Sequence, residues 1–188
     1  GLLHCADLRA IFKPIDHYIR DWMHVLLSSG VVNTHIGLLL QVLIAHGIRL
    51  ALVQEFLAQI TLPQKHGKVH REWLSPNRLS DDNLQSFAGV LLSLVPIVLL
   101  FMQKCVPMDL ARKLSRHILC LTLLSKIVGI CALGPEDAVP HVQALRELIR
   151  LHAQMFNELY PLAAKPKFHH LLHIPDNIFY LQKCLSGF

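Results

Sequence analysis

Between Asp82 and Lys104 the chain runs for 21 residues without a formal charge, NLQSFAGVLLSLVPIVLLFMQ. So long an apolar stretch has two stable homes. One is a bilayer, whose hydrocarbon core takes roughly 20 helical residues; the other is the middle of a helical bundle that covers it on all sides. Pro96 in mid-segment and the polar Asn83, Gln85, Ser86 and Ser93 favour the bundle. The other apolar stretches are poorer spans, because 36–53 contains His46 and Arg49 and 118–133 carries Lys126 at its middle. The expectation is a central helix over 83–103, capped by Ser80-Asp81-Asp82, since serine suits an N-cap and acids suit a first turn.

Composition keeps the membrane alternative open. Hydrophobic residues make up 53% of the chain and charged ones 16%, with a mean hydropathy of +0.41, high for a water-soluble domain. The 188 residues suffice for a domain with a real core, and the opening on Gly1 and the uncharged end at Phe188 read as an excerpt of a longer protein. A net charge of +5 points to an acidic partner, but the basic residues are scattered rather than massed. Cys5, Cys105, Cys120, Cys131 and Cys184 lack paired CxxC spacing, and their odd number argues against a disulfide framework; they read as buried thiols in a reducing compartment.

Apolar residues recur at helical spacing through almost every segment, which makes the fold class mainly α, a helical bundle. Helices are expected over 15–30 and 33–60, divided by SSGVVN with Asn33 or Thr34 as the new cap, and from Pro107 to about Leu133. The basic, Pro- and Gly-bearing stretch 61–79 reads as a surface loop able to touch phosphate, or as a plain solvated connector. Segment 135–161 is the clearest amphipathic helix: Val142, Leu145, Leu148, Ile149, His152, Met155, Phe156 and Leu159 share one side.

Two short stretches could carry chemistry. On a continuous helix His17, Asp21 and His24 share one face, where the carboxylate could hold a divalent cation and an imidazole could orient it, although an Asp beside a His is more often a local ion pair. In KPKFHHLLHIP, 165–175, two prolines bracket a short helix with His169 and His173 four apart, a metal-compatible spacing without a third ligand, and Lys165 and Lys167 stand just ahead, where phosphate could bind. Gly-rich phosphate loops, GxSxG elbows and Cys/His nucleophile pairs are absent from the sequence, so nothing supports nucleophilic catalysis.

Taken together, Asp21-Trp22-Met23-His24 resembles the D(2)H signature of eukaryotic cut-and-paste transposases with an RNase H-like core, and the KPKxHxLxHxP run from Lys165 to Pro175 resembles a segment that CACTA-like and related groups carry near the end of that core. The resemblance implies a core-flanking segment over 1–32, a helical insertion over 33–160 and a return to the core over 161–188. It also implies metal-dependent DNA strand cleavage and transfer, with carboxylates holding two Mg2+ or Mn2+ ions in the intact parent. Asp21, as a metal ligand or its neighbour, and His24 would then lie at the catalytic centre, with Lys165, Lys167, His169 and His173 near DNA. The remaining family acids are expected upstream of this chain and beyond Phe188, so the excerpt alone should be inactive. The partners to expect are DNA and further copies of the chain, in the nucleus, rather than a membrane. Two alternatives stand beside this reading: a non-catalytic helical DNA-binding or protein-interaction module, and a polytopic helical membrane protein.

Overall fold

The computed structural model describes residues 21–63, 68–80, 83–133 and 135–178. Among them 75% are helical and 3% strand, so the protein is mainly α. His17, Cys5 and Cys184 lie outside the described residues, as do residues 15–20 of the expected 15–30 helix.

The first helix, α1, covers Trp22–Leu26 and ends in a tight turn with Ser29 at φ 48°. Helix α2, Val31–Ala45, then starts from Gly30. A Cβ at Gly30 would stand 2.3 Å from the Val25 carbonyl oxygen, so the turn closes only on glycine. Asn33 is not the cap but sits three residues inside the helix, where its side-chain oxygen accepts the Gly30 N–H at 3.0 Å. The helical run does not continue to residue 60. It breaks at Gly47, whose φ of 85° is open to glycine and costly for other residues, and resumes as α3, Leu50–Gln59.

The polar segment that follows is partly anchored. Two 3₁₀ turns, Arg71–Leu74 and Pro76–Arg78, bury Leu74, whose carbonyl accepts from Gln54 of α3 at 3.0 Å. Strands β1, Leu79–Ser80, and β2, Asn83–Leu84, pair antiparallel, Leu79 opposite Leu84. This ladder corrects the expected capping of the apolar helix. Ser80 spends its hydroxyl on the Asn83 carbonyl, and helix α4 begins only at Ala88, behind Phe87, running to Lys104.

Beyond α4 the single helix expected after Pro107 is split at Leu114 into α5, Met108–Lys113, and α6, Ser115–Cys131. A short helix, α7 (Pro135–Ala138), and a 3₁₀ turn lead into α8, Val142–Leu159, and then α9, Pro166–Leu171. Helix α8 buries Leu145, Ile149, His152 and Phe156, the face its periodicity marks. It lies antiparallel on α6, with Arg116 bonded to Glu158 and His117 Nδ1 2.9 Å from the Tyr160 hydroxyl.

One apolar core runs from Val25 to Ile178. Its centre is α2, not α4: residues 31–37 of α2 are all buried, whereas α4 keeps Pro96 and Leu100 at the surface. At 17 residues α4 is short for a membrane span. Trp22–Ala45 is long and apolar enough by composition, but the turn at Ser29 divides it and 67% of its apolar window is buried inside the protein.

Candidate functional site

The two motif-bearing segments meet. Helices α1 and α9 pack against each other at one edge of the bundle, and Lys167 reaches across: its ammonium donates to the His24 carbonyl at 3.1 Å and to the Ser28 carbonyl. The last carbonyls of a helix have no partner within it, and a cation there also opposes the negative end of the helix dipole. Lys167 is therefore a clamp on the C-terminal end of α1. Phe168 and Leu171 bury the inner face of α9, and His169 and His173 lie on its outer side with Nε2 atoms 3.4 Å apart.

Asp21 is the N-cap of α1 rather than a mid-helix residue. One carboxylate oxygen accepts the Met23 N–H at 2.8 Å and the other meets His24 Nδ1 at 2.5 Å. Partial burial pushes its carboxyl up, but the bonds from His24 and Met23 outweigh this and hold it below the usual aspartate value. The pair is more than half exposed. Among the described residues no group of three His, Cys, Asp or Glu donors gathers at Asp21. A hard divalent cation needs several oxygen ligands, so these residues do not by themselves make a site for Mg2+ or Mn2+.

Beside the junction lies an open cleft of about 670 Å³, lined by Ser28, Ser29, Arg78, Asn83, Gln85 and Phe87 among others. Phe87 is 76% exposed, a large aromatic surface left in water. Asn83 Oδ1 and Ser86 Oγ are buried without a hydrogen-bond partner. These enclosed oxygens offer nothing to a ligand, so the cleft presents a cation and an aromatic face, the chemistry that a phosphate and a flat ring would meet.

A second cluster lies in the core, where the sequence shows only apolar helix faces. His35 of α2, Cys120 of α6 and His152 of α8 each turn a donor atom to a common point, all within 4.8 Å of one another and all buried. His35 Nδ1 and His152 Nε2 are 3.2 Å apart, while His35 Nε2 and His152 Nδ1 have no partner. Burial, reinforced by His152 and His117, holds His35 well below the ordinary histidine value, and burial lowers His152 to about 4. It also raises the Cys120 thiol to about 12. Phe156 and Tyr160 meet the His35 ring edge to face and complete the wall. Each unpartnered buried nitrogen costs about 1–3 kcal/mol. The signal for this cluster was His152 at core spacing and His35 between Thr34 and Ile36, but residues 117 apart disclose no convergence before the chain folds.

No protein-family model, curated protein or solved structure matches the chain.

Proposed function

We propose that the chain is the helical part of a transposase-like DNA-acting protein, in which the DxxH and KPKxHxLxHxP segments form one edge of the bundle and face DNA. The observation that supports this is the clamp from Lys167 to the carbonyls of His24 and Ser28, which joins two segments 143 and 139 residues apart. The segments that carry the resemblance are neighbours, and what supports reading the residues between them as an insertion is that its two ends lie close together. Strand cleavage would need further carboxylates from outside the chain, with Mg2+ or Mn2+ bound there, and Asp21 contributing charge at the border.

Asp21→Asn in the intact protein tests this reading. Loss of strand transfer with melting nearly unchanged is the expected result, because the amide can still cap α1 but carries no charge for a cation. Full activity in a stable Asp21→Asn protein would remove Asp21 from the mechanism. A second reading, a helical module that binds without chemistry, is favoured by the full engagement of both Asp21 oxygens. It predicts DNA affinity that depends on Arg78 and Phe87 and strand transfer in no context.

A further inference from the structure

We propose that His35, Cys120 and His152 form a buried site for one thiophilic d10 cation, Zn2+ or Cu+, that ties helices α2, α6 and α8 together. One donor comes from each of three helices distant in sequence, and the three donor atoms lie within 4.8 Å of one another. Ligand nitrogens about 2.0–2.1 Å from a tetrahedral ion stand about 3.3 Å from each other. His35 Nδ1 and His152 Nε2 already stand 3.2 Å apart, a separation that serves an N–H···N bond between neutral rings and a shared cation alike. The thiolate must come to about 3.6 Å from each nitrogen, inside the 4.8 Å within which the three donor atoms lie.

The donor set selects the ion. Two imidazoles and a sulfur suit soft and borderline cations and repel Mg2+ or Ca2+, which want oxygen. On binding, the Cys120 S–H bond breaks, its proton leaves to solvent and the sulfur pair goes to the metal. Whichever facing imidazole nitrogen carries hydrogen passes it to the far nitrogen of the same ring, so both rings stay neutral. A thiolate with Cu+ leaves no net charge in the core. With Zn2+ it leaves one positive charge, and a fourth ligand is needed. The three donors therefore suit Cu+, which takes two or three soft ligands, better than Zn2+.

The test uses the reduced, metal-free full chain. Co2+ stands in for Zn2+, because a thiolate-to-cobalt charge-transfer band and tetrahedral visible bands report the ligands directly. Cu+ is added anaerobically in competition with a chromogenic chelator. One equivalent of Co2+ or Cu+ per chain, with a raised melting temperature, is expected. Cys120→Ser should lose the binding and the charge-transfer band, and Cys131→Ser, which alters another buried thiol, should keep both. If the folded wild-type chain, checked by circular dichroism, binds neither ion, or if Cys120→Ser and Cys131→Ser bind alike, the site does not exist. Because the wild-type spectrum decides the first point, an unfolded variant does not rescue the proposal.

Discussion

At the scale of single residues, Asp21 and His152 show how differently a polar group behaves at the surface and in the core. Asp21 is half exposed and caps a five-residue helix, so Asp21→Ala should cost about 1 kcal/mol, the ordinary value of an N-cap, measured by urea unfolding. The Asp21–His24 pair adds little to that, since an exposed ion pair is screened by water. His152 is buried and has its folded-state value lowered from 6.5 to about 4. The folded protein holds the ring neutral, so its contribution is fully present above pH 6.5 and is lost as the pH falls from there toward 4. The lost stability is on the order of 3 kcal/mol. His35, lowered by the same burial, steepens the loss. Unfolding midpoints taken with a chelator present should fall between pH 6.5 and 4, and His152→Gln should flatten that fall. An unchanged slope would mean that water reaches the ring.

Elements are held to one another by a few close approaches that helix propensity opposes. Glycine in the middle of a helix costs about 1 kcal/mol relative to alanine, yet Gly37 stands in α2 because its missing Cβ makes room for the hairpin. A Cβ there would meet the Asn83 backbone at 2.7–2.9 Å. The hairpin is also bonded to α2 by Asn33, whose amide donates to the Leu84 carbonyl at 2.7 Å, and by Gln41, which donates to Ser80 O at 3.0 Å. Gly37→Ala should therefore destabilise by roughly 1–3 kcal/mol, the cost of overpacking, instead of stabilising by helix propensity. Thermal melting decides the sign. The same holds at the other edge, where Lys167→Met removes a charged donor from two α1 carbonyls. Backbone amides of α1 should then exchange faster while those of α8 stay protected, as expected when one peripheral helix opens locally.

For the whole molecule, the basic residues behind the charge of +5 are scattered along the sequence rather than massed in one run. DNA binding by the chain should be independent of sequence and fall steeply with salt, because each phosphate contact releases condensed counterions. Arg78→Glu should weaken it at every sequence, and Phe87→Ala should weaken single-stranded binding most, by about 1–3 kcal/mol if a base stacks on the ring. Affinity unchanged between low and high salt would exclude a phosphate-based interface. With Mg2+ or Mn2+ the chain alone should leave plasmid DNA uncut. Nicking lost in Asp21→Asn would show that the described residues hold more of a metal site than Asp21 alone supplies.

How much of this was legible in the sequence follows from the range of the interactions involved. Apolar spacing of 3.6 residues determined that the chain is helical and that Leu145, Ile149, His152 and Phe156 share a buried face, since both depend on neighbours within a few turns. The glycine at 30 and the proline at 107 marked real breaks for the same local reason, whereas Gly47 breaks a run expected to be one helix over 33–60. Which apolar helix sits at the centre was decided only by packing. Helix α4, from the uncharged run 83–103, keeps one face at the surface, and the shorter α2 takes the middle, where its Gly37 and Asn33 admit the hairpin. The start of α4 was likewise set by a pairing, Asn83–Leu84 with Leu79–Ser80, that outweighs the capping preference of Ser80. Sequence alone supplied the two motifs at Asp21 and Lys165, but the tertiary structure made them neighbours through Lys167, and it alone brought His35, Cys120 and His152 together. Contacts between residues more than a hundred positions apart exist only after the loop entropy of folding has been offset by burial, and no local pattern encodes that.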